Sequence, residues 1–200
     1  MKNSNCIFLN EKMDREKFAM YFYSLQALCK DIRLINGERQ DEEVIRLTKN
    51  IGLRREINQD RADDTVGEIF NRTIGQLFTF KRPNLSRIEV KFATYTRRNT
   101  GHLRYVLMDG GTWKILVSDV IDIGKLRDNE WYPLSFLPIA DSNGKLFYLY
   151  FEAPHSSPGN AITIWKSGSS LKENNTIYEN HAVPISGSLC IRAYCISDLS

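Results

Sequence analysis

Between Ser86 and Ala93 the chain reads Ser86-Arg87-Ile88-Glu89-Val90-Lys91-Phe92-Ala93, and its apolar residues fall at every second position. A period of two puts Ile88, Val90 and Phe92 on one face of an extended strand, opposite Glu89 and Lys91. No other feature restricts the fold as much, because it demands a sheet with one face buried. His102 to Met108 repeats it, with Leu103, Tyr105 and Leu107 opposing Arg104. Further short runs are Ile74 to Phe80, Trp113 to Val117, Trp131 to Phe136, Leu146 to Ala153, Ala161 to Trp165 and Ser188 to Ile196. Turn chemistry separates them: Asn99-Thr100-Gly101, Asp109-Gly110-Gly111, Asp141-Ser142-Asn143-Gly144 and Ser157-Pro158-Gly159-Asn160. Short strands at this spacing, without a helical stretch among them, predict a mainly β domain over residues 65–200. The expected architecture is an antiparallel β-sandwich of jelly-roll type.

The amino-terminal part has a different period. Phe18, Tyr21, Leu25, Leu28, Ile32 and Ile35 alternate spacings of three and four, a heptad stripe on a helix from Asp14 to about Ile35. Gly37 is a stop signal. A second helix fits Asp41 to Asn50, with Val44, Leu47 and Ile51 on one side and Gly52 beyond its end. The stripe covers about two and a half heptads, where an isolated coiled coil wants about three or four. It therefore packs on its own domain, pairs with a second copy, or docks on another partner. Residues 1–52 are read as an N-terminal helical segment. The polar stretch 53–64 is read as a linker or a frayed helix.

Composition narrows the function classes. Lys plus Arg number 27 against 24 for Asp plus Glu, a net charge of +3 that is too small and too interleaved for a nucleic-acid stripe. Cysteines stand at 6, 29, 190 and 195. On one continuous strand Cys190 and Cys195 would face opposite ways and could not pair, and no CxxC or clustered His supplies zinc spacing. The apolar run Ile7-Phe8-Leu9 is far short of a signal peptide's core of roughly 7–15 residues, and no stretch approaches a membrane span. These features predict a cytoplasmic protein with reduced thiols, no membrane insertion and no nucleic-acid partner.

Several stretches carry a family likeness. They are Thr73-Ile74-Gly75-Gln76-Leu77-Phe78, Leu85-Ser86-Arg87-Ile88-Glu89-Val90, Ala93-Thr94-Tyr95-Thr96-Arg97-Arg98-Asn99-Thr100-Gly101 and Leu126-Arg127-Asp128-Asn129-Glu130-Trp131. Ser157-Pro158-Gly159-Asn160-Ala161-Ile162-Thr163-Ile164-Trp165 and Leu189-Cys190-Ile191-Arg192-Ala193-Tyr194 complete the set. In this order, the region from Thr65 to Cys195 resembles the jelly-roll, carbohydrate-binding-like accessory domains attached to bacterial glycosyltransferases and related surface-polysaccharide proteins. The resemblance implies a binding or spacing module beside envelope-glycan machinery, and it carries no catalytic residues. No transferase domain lies between Cys195 and Ser200, so a stand-alone copy and a piece of something longer both fit.

Sugar recognition needs flat aromatic faces for the C–H surface of the ring and planar polar groups for its hydroxyls. Tyr95, Trp113, Trp131 and Trp165 are the aromatic candidates; Arg97, Arg98, Asn99 and Asn160 are the polar ones, each with several fixed donors. The three tryptophans begin or end apolar strands, so core packing is the competing reading for them. Tyr95 shares the parity of Glu89 and Lys91 and is the better surface candidate. Arg97 and Arg98 also fit a solvated turn.

Asp109, Asp119, Asp122, Asp128 and Asp141 lie in or near turns and could supply oxygen ligands to calcium, but without EF-hand spacing, and Asp serves turns on its own account. No cofactor is implied. The chain has no GxSxG elbow, Walker loop or dinucleotide fingerprint. Glu152 is the one carboxylate inside an aromatic strand, and a lone acid there faces solvent or pairs with Arg. The expectation is a non-catalytic glycan-binding or glycan-associated accessory module. The alternative is a structural interaction module that dimerises or docks through its N-terminal helix and binds no sugar.

Overall fold

A computed structural model describes residues 53–168 and 176–196. The expected helices over 14–35 and 41–50 lie outside the described residues, as do Cys6 and Cys29.

The described chain is built from strands: β1 (Leu53–Asn58), β2 (Asp64–Thr65), β3 (Thr73–Phe80), β4 (Leu85–Ala93), β5 (His102–Asp109), β6 (Ile115–Asp122) and β7 (Trp131–Ile139). They continue as β8 (Lys145–Glu152), β9 (Thr163–Ser167), β10 (Ile177–Glu179), β11 (Val183–Ile185), β12 (Ser188–Leu189) and β13 (Ile191–Ile196). A single 3-10 turn, Ile123–Lys125, follows β6, capped by the Asp122 side chain accepting from the Gly124 amide. Two antiparallel sheets result. The first has seven strands in the order β1-β13-β4-β9-β12, with β2 added to β9 and β7 added to β4. The second has six, β11-β10-β3-β8-β5-β6. The stretch Arg54–Cys195 forms one compact unit.

The alternation read from the sequence positions the core. Ile88, Val90 and Phe92 of the first sheet and Phe147, Leu149 and Phe151 of the second are all buried. The rings of Phe92 and Phe151 meet edge to face across the two sheets at 5.7 Å, and Phe78 stacks on Phe147 at 5.6 Å within the second. A polar tie joins the sheets as well: buried Gln76 accepts the Leu189 amide through Oε1 at 2.5 Å. A buried amide left without that acceptor would cost about 1–3 kcal/mol, which explains a Gln among the phenylalanines.

Three expectations are corrected. The polar stretch after residue 52 is not simply a linker: Leu53–Asn58 is strand β1 beside β13, and Ile57 packs against the core. Its charges misled because an edge strand keeps one side in water. The Trp113 to Val117 strand begins only at Ile115 and runs on to Asp122. Asp109 draws Gly111 and Thr112 into a turn, its Oδ1 accepting both amides at 2.9 Å, so Trp113 belongs to the turn. Ser188 to Ile196 is two strands: β12 pairs with β9 and β13 with β4, and Cys190 joins them. Strands β10 and β11, three residues each, are too short to show a period. Cys190 and Cys195 are free and buried, and burial pushes the Cys190 thiol up to about 12.

Candidate functional site: an aromatic platform on the six-stranded sheet

The eight residues singled out from the sequence fall at three places. Tyr95, Arg97, Arg98, Asn99 and Asn160 gather where the β4–β5 loop meets the loop before β9. Tyr95 lies past the end of β4, not on its face, in a left-handed conformation (φ 57°) with Thr96 (φ 57°). Its ring lies against the Arg97 guanidinium at 4.6 Å. Arg97 also donates to Glu68 at 2.6 Å and to the Ala161 carbonyl at 3.0 Å. Buried Asn99 donates to the carbonyls of Thr94 (3.2 Å) and Ala161 (3.4 Å). Asn160 accepts the Thr100 amide at 2.9 Å and returns a bond to the Thr100 carbonyl at 3.3 Å. These side chains clamp one loop to the other. Arg98 is exposed beside them.

Trp131 and Trp165 stand on the outer face of the seven-stranded sheet, half-buried and outside the core, so the core reading fails for both. Cations already sit over their rings: Arg192 over Trp131 at 3.9 Å and Lys91 over Trp165 at 5.6 Å. Trp165 Nε1 donates to Asn129 at 2.8 Å. Arg192 is fixed from its other side by Asp60, in two bonds of 2.7 and 2.9 Å.

Trp113 is placed differently. It is 57% exposed and meets Tyr148 edge to face at 5.7 Å on the outer face of the six-stranded sheet. The strand register explains the cluster. Tyr178, Gly75 and Tyr150 lie abreast on β10, β3 and β8, and Tyr148 is opposite Leu77 one step along. Tyr148 is in ring contact with Tyr150 (5.8 Å), Tyr178 (6.4 Å) and His181 (5.8 Å), and Tyr150 meets His181 at 4.8 Å. Tyr148 Oη and His181 Nδ1 share a hydrogen bond of 3.1 Å. These neighbours leave Tyr148 only 2% exposed although it points away from the core. Burial pushes its hydroxyl up to about 12.

The backbone is strained to hold this arrangement. Trp113 has φ 59° and His181 φ 62°, both left-handed. Bulky L-residues avoid that region at a cost of about 1–2 kcal/mol. Two turns, one after β5 and one after β10, thus carry their rings to Tyr148 in unfavourable backbone. The next row across the sheet is polar: Glu152 of β8 faces Arg104 of β5 and they pair at 2.8 Å, as a lone acid in that strand was expected to do. Arg104 Nε also donates to Ser118 at 3.2 Å.

The candidate calcium ligands are occupied with local work. Asp109 and Asp122 accept turn amides, Asp128 takes the Thr94 amide, Asp119 the Val120 amide, and Asp141 pairs with Lys145. Among the described residues no three of His, Cys, Asp and Glu come together as a metal set.

Sequence reasoning named Trp113 and missed Tyr148, Tyr150, Tyr178 and His181. A signal existed for two of them: in Phe147-Tyr148-Leu149-Tyr150-Phe151 the tyrosines alternate with the core residues and so share the outer face. No protein-family model matches the chain, and comparison with curated proteins finds no match either. No helix among the described residues is long and apolar enough to cross a membrane.

Proposed function

We propose that this chain is a non-catalytic glycan-binding accessory module of jelly-roll type, serving surface-polysaccharide assembly from the cytoplasmic side, with the aromatic platform as its sugar site. The observation that carries the reading is the group Trp113, Tyr148, Tyr150, Tyr178 and His181 on an outer sheet face. A solvated face of an antiparallel sheet is ordinarily polar. Packed around the buried Tyr148, these rings leave Trp113 57% exposed, at the expense of left-handed backbone, and its face offers apolar surface to the C–H face of a pyranose. The adjoining Glu152–Arg104 pair offers planar donors and acceptors with no net charge, which suits neutral sugar hydroxyls.

The test is a glycan array on the full chain, with hits measured by calorimetry for wild type, Trp113→Ala, Tyr178→Ala and Tyr95→Ala. Both platform substitutions are expected to weaken binding about tenfold or more, the worth of one stacked ring, and Tyr95→Ala to leave it within about twofold. A blank array overturns the reading. Loss through Tyr95→Ala alone would move the site to the loop cluster.

The alternative, an interaction module acting through the N-terminal helix, concerns residues outside the described ones.

A further inference from the structure

A cation drawn out of water needs a carboxylate beside it, because an unpaired charge is costly to desolvate. Among the described residues the arginines and lysines that are buried or half-buried follow this rule, with one exception. Arg87 pairs with Glu89, Arg104 with Glu152, Lys166 with Asp64 and Arg192 with Asp60, and the others are paired likewise. Cations without a carboxylate, such as Arg98 and Lys114, are exposed. The exception is Lys91 on β4. It is half-buried, yet no carboxylate and no hydrogen-bond acceptor among the described residues meets its ammonium.

What meets Lys91 instead is indole. Trp131 is its partner across β7. The Lys91 amide donates to the Cys190 carbonyl and the Phe92 amide to the Glu130 carbonyl, both at 3.1 Å. Lys91 and Trp131 therefore face each other at a non-hydrogen-bonded position, where cross-strand side chains come closest. Lys91 Nζ also lies 5.6 Å from the centre of the Trp165 ring, near the cation–π limit of about 6 Å, and that contact uses none of its three donors. Trp165 is pinned by its Nε1 bond of 2.8 Å to Asn129. We propose that Lys91, Trp131 and Trp165 form a binding site for an acidic sugar, a pyranose bearing one carboxylate. The ammonium takes the carboxylate, and an indole beside it takes the C–H face of the ring.

The charges around Lys91 select the ligand. Arg87 and Arg192 are already answered by Glu89 and Asp60, so Lys91 offers one positive charge. Glu89, two residues back on the same strand face, opposes a second negative one. A single carboxylate balances the site, whereas a doubly charged phosphate would bring a charge without a partner. This site is separate from the platform. It lies on the other sheet and takes an anion, where the Glu152–Arg104 pair suits neutral hydroxyls. It stands whether or not the platform binds sugar.

The test compares methyl glucuronide with methyl glucoside, which differ only in a carboxylate replacing a hydroxymethyl group. Both are titrated into the full chain and followed by the indole NMR signals of Trp131 and Trp165. The glucuronide is expected to shift both signals and to bind about fivefold tighter, the upper worth of a partly exposed ion pair, with the preference fading at high salt. Lys91→Met keeps the aliphatic stem and removes that preference. Trp165→Ala weakens the glucuronide about tenfold, and Lys114→Met, an exposed cation on the other sheet, leaves it unchanged. Urea denaturation should find Lys91→Met at least as stable as wild type, since a desolvated charge is gone. Equal binding of the two sugars, no binding of either, or a preference that survives Lys91→Met overturns the proposal. So does acetate binding as tightly as the glucuronide, which would leave the indoles without a role, or a clear loss of stability in Lys91→Met, which would assign the ammonium to the fold.

Discussion

The ring of Tyr148 on β8 leans over Gly75 on β3, and a Cβ at Gly75 would overlap the tyrosine hydroxyl and come within 2.8 Å of its Cε2. The two residues are diagonal neighbours, since Gly75 pairs with Tyr150 and Leu77 with Tyr148. The missing side chain is therefore what lets Tyr148 lie flat, reach His181 Nδ1 at 3.1 Å and serve as the floor of the platform. A glycine inside a strand weakens it, and here that cost has a visible return.

Gly75→Ala consequently acts on the platform before the core. The added methyl lifts Tyr148 away from His181 and disturbs its contacts with Tyr150 and Tyr178. A loss of about 1–3 kcal/mol is expected, the usual penalty for overpacking, measured by urea denaturation. Pairing it with Tyr148→Ala, which vacates the space, should restore most of that loss. A double variant no more stable than the single one would show that the methyl clashes elsewhere.

The left-handed turn at Trp113 permits a cleaner comparison. Trp113→Ala and Trp113→Gly both remove the ring, so their difference isolates the backbone at φ 59°. The glycine variant is expected to be more stable by about 1 kcal/mol, because glycine enters this region without steric penalty. Equal stabilities would mean that the turn relaxes once the ring is gone, and would remove the case for stored strain.

Much of the sandwich was legible because its signal is local. Ile88, Val90 and Phe92 alternate with Glu89 and Lys91, and the structure buries the first set as the period requires. The platform was not legible as a site. Its rings come from β8, β10 and two turns, and only the strand register brings them together. Trp113 was assigned to a strand because its neighbours are apolar, whereas the Asp109 carboxylate organises the turn that holds it. Tyr178 and His181 sit in or beside a strand of three residues, too short for periodicity to reveal.

Alkaline pH should destabilise the fold in two stages. Burial pushes the Cys190 thiol from 9.0 up to about 12, and the Tyr148 hydroxyl from 10.0 up to about 12. Both values are raised above those of the unfolded chain, so each group stabilises fully below its unfolded value and less as pH rises toward about 12. Unfolding free energy is expected to decline from about pH 9 and more steeply above about pH 10. Tyr148→Phe should flatten the steeper part. An unchanged slope would mean that Tyr148 is not withheld from water as its 2% exposure implies.

At acid pH the relevant relationship is the one between Asp60 and Arg192. The guanidinium hydrogen bonds hold the Asp60 carboxyl below its ordinary 3.8. A depressed value in the folded state stabilises above the unfolded value and is lost as pH falls through the folded one, so the effect disappears below about pH 4. The pair is partly exposed, with 40% of the Asp60 side chain open to solvent, so its worth is discounted to about 0.5–1 kcal/mol. Asp60→Asn should therefore lower stability by that amount at pH 7, and the wild-type and variant curves should converge as pH falls below about 4 and through the lowered carboxyl value. The substitution also loosens Arg192, which lies 3.9 Å over the Trp131 ring and keeps Glu89 at 3.7 Å. Chemical-shift changes of the Trp131 indole on substitution and on acidification should then coincide. Stability curves that stay parallel to low pH would show that the carboxylate charge does not hold Arg192 in place.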